Sequence, residues 1–208
     1  MQDEFVIREV NKSDLSQISK VHIESFPNFF LSKLGCDFVK QYYNLILNYD
    51  KHVFLCYAQN NEIIGFVSGF NNPKAFYKYL SEKKANFLYP LLVSVCRNPF
   101  VIVTIAKAFK RIKNEAQIDN NNDFTNELSS LAVNPIIQNK GVGKKLVDAY
   151  ITVLKDSKIK AIQLTTDAEN NDKVNSFYER LNFKKTKTII RNDSRLMNEY
   201  CYYLDGND

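Results

Sequence analysis

The stretch Leu131-Ala132-Val133-Asn134-Pro135-Ile136-Ile137-Gln138-Asn139-Lys140-Gly141-Val142-Gly143 runs directly into Lys144-Lys145-Leu146-Val147, and its reading decides the fold. An apolar strand end gives way to a proline, a short polar loop, two glycines one residue apart and an amphipathic helix, which is a strand, loop and helix unit. Without a Cβ, Gly141 and Gly143 let the backbone come close to a ligand. Unpaired N–H groups at the helix start, with the helix dipole behind them, suit an anion. Gly-X-Gly alone is not specific, because structural turns explain most such pairs. Neither the third spaced glycine of a dinucleotide fingerprint nor the Gly-Lys-Ser/Thr of a Walker loop is present.

A second motif lies about forty residues on. It reads Asn171-Asp172-Lys173-Val174-Asn175-Ser176-Phe177-Tyr178-Glu179-Arg180-Leu181-Asn182-Phe183. Taken together, Val133-X-Pro135-X-X-Gln138-X-X-Gly141-X-Gly143, a strand, and then Asn171 with Phe177-Tyr178 and a Leu181-X-Phe183 close resemble the GNAT N-acetyltransferase family. The specific resemblance spans Glu127 to Phe183, and a looser one spans the whole chain. Asn182 stands where the family usually has glycine, and Val174 where alanine is commoner; neither touches the chemistry.

The resemblance implies acetyl-coenzyme A as co-substrate and no metal. It assigns Gln138, Asn139, Lys140, Gly141, Val142, Gly143 and Lys144 to the pyrophosphate. The strand Leu131, Ala132 and Val133 would lie along the pantetheine arm, and Asn171, Asn175 and Tyr178 would also meet the cofactor. Acetyl transfer to an amine needs a base, donors for the oxyanion and an acid for the leaving thiolate. Glu127 sits where family members carry a glutamate base; the alternatives are a strand-edge carboxylate, a substrate salt bridge, or proton relay through water. Tyr178 is the candidate acid, and a backbone N–H near Val133 the oxyanion donor. Direct transfer in a ternary complex follows, with no cysteine intermediate. The alternatives are a coenzyme A-binding sensor or scaffold without turnover, and a peptide or protein N-terminal acetyltransferase. Phe30-Leu31-Ser32-Lys33-Leu34-Gly35 looks like acetyltransferases found among polysaccharide genes, which points to an amino sugar as the small-molecule amine acceptor.

Bulk properties narrow the class. A chain of 208 residues suits one domain, residues 1–208, able to bury a core without staples. Cysteines 36, 56, 96 and 201 lack metal-ligand spacing, so buried free thiols are expected. The start Met-Gln-Asp-Glu-Phe shows no basic segment before an apolar run, so the expected location is the cytoplasm. A net charge of +5 fits a polyanionic ligand and is too small and scattered to argue for nucleic acid. Monomer and homodimer both stay open.

In chain order, Phe5 to Val10 reads as a strand, and Asn11 to Asp14 as turn and N-cap before a helix to about Phe26. A second helix is predicted from Leu31 to Tyr49, its apolar stripe mostly core. Alternatively, Phe29, Phe30, Tyr42 or Tyr43 lines an acceptor pocket. His52–Gln59 and Glu62–Phe70 form a hairpin over Asn60-Asn61. His22 and His52 read as packed or solvated residues rather than catalysts. Residues 72–123 form a helical insertion, with helices at about 74–84, 87–96 and 100–114. Its apolar runs are too short to span a bilayer. It packs on the sheet, or it supplies an acceptor lid or a membrane-surface contact through Lys107, Lys110, Arg111 and Lys113. Strand 124–133, helix 141–155, strand 159–165 and helix 171–181 follow, the last with Phe177 inward and Tyr178 toward the cofactor. A closing hairpin, 183–191 with 196–204, completes a mixed α/β order. The resemblance makes this a mostly antiparallel central sheet flanked by helices, the acyl-CoA N-acyltransferase fold.

Overall fold

A computed structural model describes residues 5–97, 103, 105–106, 125–137, 140–190 and 195–204. Strand β1 (Phe5–Glu9) leads through a short turn at Lys12–Asp14 into α1 (Leu15–Ser25), α2 (Phe30–Lys33) and α3 (Cys36–Leu47). Next come β2 (His52–Gln59), β3 (Glu62–Asn71), α4 (Pro73–Glu82), a 3-10 turn at Lys84–Phe87 and α5 (Leu88–Arg97). After residue 124 the chain forms β4 (Thr125–Val133), α6 (Val142–Lys155), β5 (Ala161–Asp167), α7 (Asp172–Arg180), β6 (Lys184–Ile190) and β7 (Leu196–Tyr203). The third helix expected in the insertion, 100–114, falls largely outside the described residues.

The described strands make one sheet in the order β1-β2-β3-β4-β5-β7-β6. Every described pairing is antiparallel except β4 with β5. The mostly antiparallel α/β sheet expected above is therefore the observed one. Asn60 and Asn61 turn the β2–β3 hairpin at φ +49° and +64°, a region asparagine tolerates. Helices α1, α3 and α4 cover one face, burying Ile18, Phe38, Tyr43, Phe66, Phe70 and Phe76. Helix α6 covers the other with Leu146, Val147, Tyr150 and Leu154.

Capping residues set the entry to α1. Asn11 and Asp14 form a reciprocal capping box, and Arg8 grips the Asp14 carboxylate with two bonds of 2.6 and 2.9 Å. That contact with Arg8 holds the Asp14 carboxyl below its usual pKa.

The single helix predicted from Leu31 to Tyr49 is two helices. Gly35 sits between them at φ +89°, a conformation that interrupts the helical ladder. The Leu34 carbonyl released by the break accepts from Ser94 Oγ, which anchors α5 there. Helix α5 buries Ser94 and Phe87 precedes it into the core, but Leu88, Tyr89 and Leu92 face outward, 62–72% exposed. Its apolar composition thus overstates its burial. Likewise only two of the four free cysteines, Cys56 and Cys201, are buried; Cys36 and Cys96 are exposed. No helix among the described residues is long and apolar enough to cross a membrane.

Between β3 and β4 the register shifts: Ser68 faces Ser130 while Gly69 faces Leu128, leaving Ser129 as the extra residue of a bulge. Tyr150 of α6 lies against the sheet at this point. A Cβ on Gly69 would lie 1.8 Å from the Tyr150 hydroxyl oxygen and 2.2 Å from the Glu127 carbonyl oxygen. Gly69→Ala is therefore expected to destabilise the fold by roughly 3 kcal/mol, at the upper end of overpacking costs. Urea denaturation of the purified variant checks this.

Candidate active site

Strands β4 and β5 start side by side and then part. Their parallel pairing covers only Thr125, Asn126 and Glu127 with Ala161, Ile162 and Gln163, although β4 continues to Val133 and β5 to Asp167. Beyond Glu127 a gap opens in the sheet. The Asn134 N–H donates to the Ile64 carbonyl of β3 at 2.8 Å. Alternation along the strand then turns the peptide groups of Leu131 and Val133 away from β3, toward the gap, while those of Ala132 face β3. Ser25 Oγ donates to the Val133 carbonyl at 3.0 Å, so α1 closes one side.

At the far end of β4 the loop enters α6. Gly141 caps the helix at φ +79°, and the first backbone bond after it runs from the Lys145 N–H to the Gly141 carbonyl, 3.1 Å. The N–H groups of Val142, Gly143 and Lys144 precede that bond and point out of the helix start. Phe177 lies 3.5 Å from where a Gly143 Cβ would be, an ordinary contact, so α7 packs against the glycine across the gap. Lys140 is exposed, and Lys144 is paired with Asp148 at 2.7 Å. Gln138 and Asn139 lie outside the described residues. A shallow groove of about 240 Å³ runs beside this helix, lined by Lys144, Lys155 and Arg180 among others. Among the described residues that line it only Asp148 is acidic, so it too favours an anion.

The tyrosine of the second motif is deeper than expected. Tyr178 is only 7% exposed, with its ring 5.2–6.2 Å from those of Phe177, Phe183 and Tyr200. Phe177, expected inward, is instead the less buried of the two and turns to Gly143. Burial pushes the Tyr178 phenol well above its ordinary pKa, which keeps it protonated. The same burial makes it a weaker acid, and among the described residues its hydroxyl has no hydrogen-bond partner.

A cofactor contact was expected of Asn175, but its side chain is spent within the protein. Its amide donates to the Asp167 and Asn171 carbonyls, and its oxygen accepts from Asn198 and Tyr200. With every site used, Asn175 fastens α7 to β5 and β7. The Asn171 amide similarly donates to Thr166 Oγ1 and to the Asp167 carbonyl.

On the face of the sheet covered by α1, α3 and α4, β4 presents Glu127, Ser129 and Ser130. Tyr77 of α4 donates to Glu127 Oε1 at 2.8 Å. Tyr42 shares a hydrogen bond of 2.9 Å with Ser129, and Tyr43 bonds to Ser130. The bulge makes this possible by turning two successive serines to one side. Of the aromatics considered above, Tyr42 is thus placed at the polar strip, and Tyr43 is fully buried behind it. Phe29 lies under the Arg195 guanidinium at 4.8 Å, and Arg195 is held by Asp167. Tyr77, Ser129 and Arg195 escaped the sequence reading. No local motif marks any of them; only the period-2 pattern breaking at Ser129-Ser130 gave a signal.

Residues 111–183 match the model of the acetyltransferase (GNAT) family. No curated protein matches the chain. Several solved structures share the fold. An N-acetyltransferase from Staphylococcus aureus is 16% identical with a TM-score of 0.62, covering 97% of this chain and 99% of its own. The PaiA N-acetyltransferase from Thermoplasma acidophilum in complex with coenzyme A is 16% identical with a TM-score of 0.57, covering 96% and 99%. YncA from Salmonella typhimurium, solved with its cofactor acetyl-CoA, is 14% identical with a TM-score of 0.61, covering 98% and 95%. Identities this low speak for the fold.

His22 supplies a pH test of the same region. It is buried, shares a 2.7 Å hydrogen bond with Tyr43, and leaves its Nε2 atom without a partner among the described residues. Burial lowers its pKa from 6.5 to about 4. Between those values the unfolded chain binds more protons than the folded one, so this contribution to stability is complete above pH 6.5 and declines toward pH 4. The decline is on the order of 3 kcal/mol. Urea unfolding across this pH range should show it, and His22→Gln should flatten that part of the slope.

Proposed function

We propose that the chain is an acetyltransferase of the GNAT family, whose model matches residues 111–183, and that it transfers an acetyl group directly to a primary amine held beside Glu127. Acetyl-coenzyme A supplies the activated acetyl thioester. The observation that carries this reading is the parting of β4 from β5 after Glu127, with the open helix start of α6 at the end of the same gap.

The residues present fit such a donor. Gly141, Val142, Gly143 and Lys144 offer backbone N–H groups to its pyrophosphate, with Lys140 beside them and Gln138 and Asn139 completing the loop in sequence. The peptide groups of Leu131 and Val133 suit hydrogen bonding to an amide-bearing arm in the gap, with Ala132 holding the strand to β3. Asn171 and Asn175 keep α7, and with it Tyr178, in place. Glu127 takes the proton that the attacking amine must lose. Tyr178 gives a proton to the sulfur that leaves; because burial weakens the phenol as an acid, the transfer depends on the negative charge that builds on the sulfur beside it. Glu127, Ser129, Tyr42 and Tyr77 together offer one carboxylate and several hydroxyls, a lining that suits an amine rich in hydroxyl groups, such as an amino sugar. Residues 72–123 would then be an insertion within a single 1–208 domain that adds Tyr77 to the acceptor side.

The test is turnover on amines, read by free thiol release, comparing amino sugars with peptide N-termini. Tyr178→Phe should keep coenzyme A affinity and lose about 100-fold in turnover, the usual worth of acid assistance. Gly143→Val should instead weaken coenzyme A binding, measured by calorimetry, because a branched side chain fills the backbone's approach to the phosphate. Full turnover in Tyr178→Phe would remove the acid role.

A further inference from the structure

Tyr77 belongs to no motif and comes from the helix that follows β3, yet it reaches the carboxylate at the fork of the sheet. Several contacts fix its place. Asn72 caps α4, its side chain accepting from the Ala75 N–H at 3.0 Å, with Pro73 at the first helical position. The Asn72 N–H donates to the Thr125 carbonyl at 3.0 Å, which ties the start of α4 to the start of β4. Phe76 stacks on Phe70 at 3.7 Å, and both rings meet Tyr77 edge-on at 5.7–5.8 Å. Only 8% of Tyr77 is exposed. Its hydroxyl donates to Glu127 Oε1 at 2.8 Å.

We infer that Tyr77 is a positioning residue, orienting the Glu127 carboxylate toward the gap where the acceptor amine loses its proton. The inference rests on the reading of Glu127 as the base. Glu127 lies in the last residue pair before β4 and β5 separate, opposite Gln163 on β5 and Phe70 on β3. A carboxylate on that strand can rotate among several orientations, and a hydrogen bond from a packed phenol selects one. The helix that adds α4 to the sheet thereby acts in the chemistry through one side chain.

Few described titratable groups face this carboxylate. Tyr77 approaches from α4, and Tyr150 of α6 feels the Glu127 charge from the other face. Tyr42 and Tyr49 of α3 and its C-terminal turn bond to Ser129 and to the Asn71 carbonyl nearby. The facing positions on β3 and β5, Phe70 and Gln163, do not titrate. Because a donated hydrogen bond favours the charged carboxylate, loss of the Tyr77 hydroxyl moves the acid side of a Glu127-dependent rate profile to higher pH.

The experiment compares Tyr77→Phe, Glu127→Gln and the double variant in the full chain. It measures kcat/KM against pH with acetyl-coenzyme A and the amine of highest turnover, alongside carbon-13 NMR titration of the glutamate carboxyls. Tyr77→Phe should lose roughly tenfold or more on the acid side, the worth of one hydrogen bond to a charged carboxylate, and approach the parent at high pH. The Glu127 resonance, identified by its disappearance in Glu127→Gln, should titrate at higher pH, and the double variant should be no worse than Glu127→Gln alone. If Glu127→Gln abolishes the acid limb while Tyr77→Phe leaves limb and resonance unmoved, the positioning role is overturned and the base role stands. If Glu127→Gln keeps the limb, the base role falls, and the role of Tyr77 falls with it.

Discussion

Everything in this structure turns on where the β4–β5 hydrogen bonds stop. Three residue pairs hold the two strands together, and after Glu127 and Gln163 they separate. A parallel pair left open in the middle of a sheet exposes backbone donors and acceptors that the interior cannot leave unmet. Such an edge suits a ligand that brings hydrogen-bonding groups of its own, and the open start of α6 lies at the same end.

Several contacts hold the fork open instead of letting the strands close. On the β4 side, Ser25 binds the Val133 carbonyl, and the bulge at Ser129 interrupts the regular register with β3. On the β5 side, Asn175 and Arg195 bind Asp167, through its carbonyl and carboxylate respectively, at the end of the strand. Phe29, packed under Arg195, links the α1–α2 connection to the β7 side. These are polar contacts at strand ends, where a single hydrogen bond directs the backbone, while the apolar cores on the two faces supply most of the stability. The division explains why the site residues are so seldom the large apolar ones.

Much of the architecture was legible in the chain. Alternation and turn residues placed β2, β3 and their hairpin, and helical periodicity placed α1, α6 and α7 close to their observed ends. The glycine pair and the Asn171–Phe183 motif marked the loop that follows β4 and the helix whose Phe177 packs against Gly143. What stayed hidden was tertiary. Gly35 reads as an ordinary glycine inside a long apolar stripe, and only its positive φ ends α2. Phe177 and Tyr178 are adjacent on one helix, so periodicity alone does not tell which turns inward; packing against Gly143 decides it. Tyr77 lies fifty residues from Glu127, and no local pattern joins them.

The central claim, that the fork is the seat of the acetyl donor, is tested most directly by amide hydrogen exchange with and without coenzyme A. Leu131 and Val133, whose peptide groups face the gap, should become strongly protected when it binds, together with residues 142–144 at the start of α6. Ala132, already directed to β3, should change little. Tight binding with unaltered exchange at Leu131, Val133 and the α6 start would contradict the account.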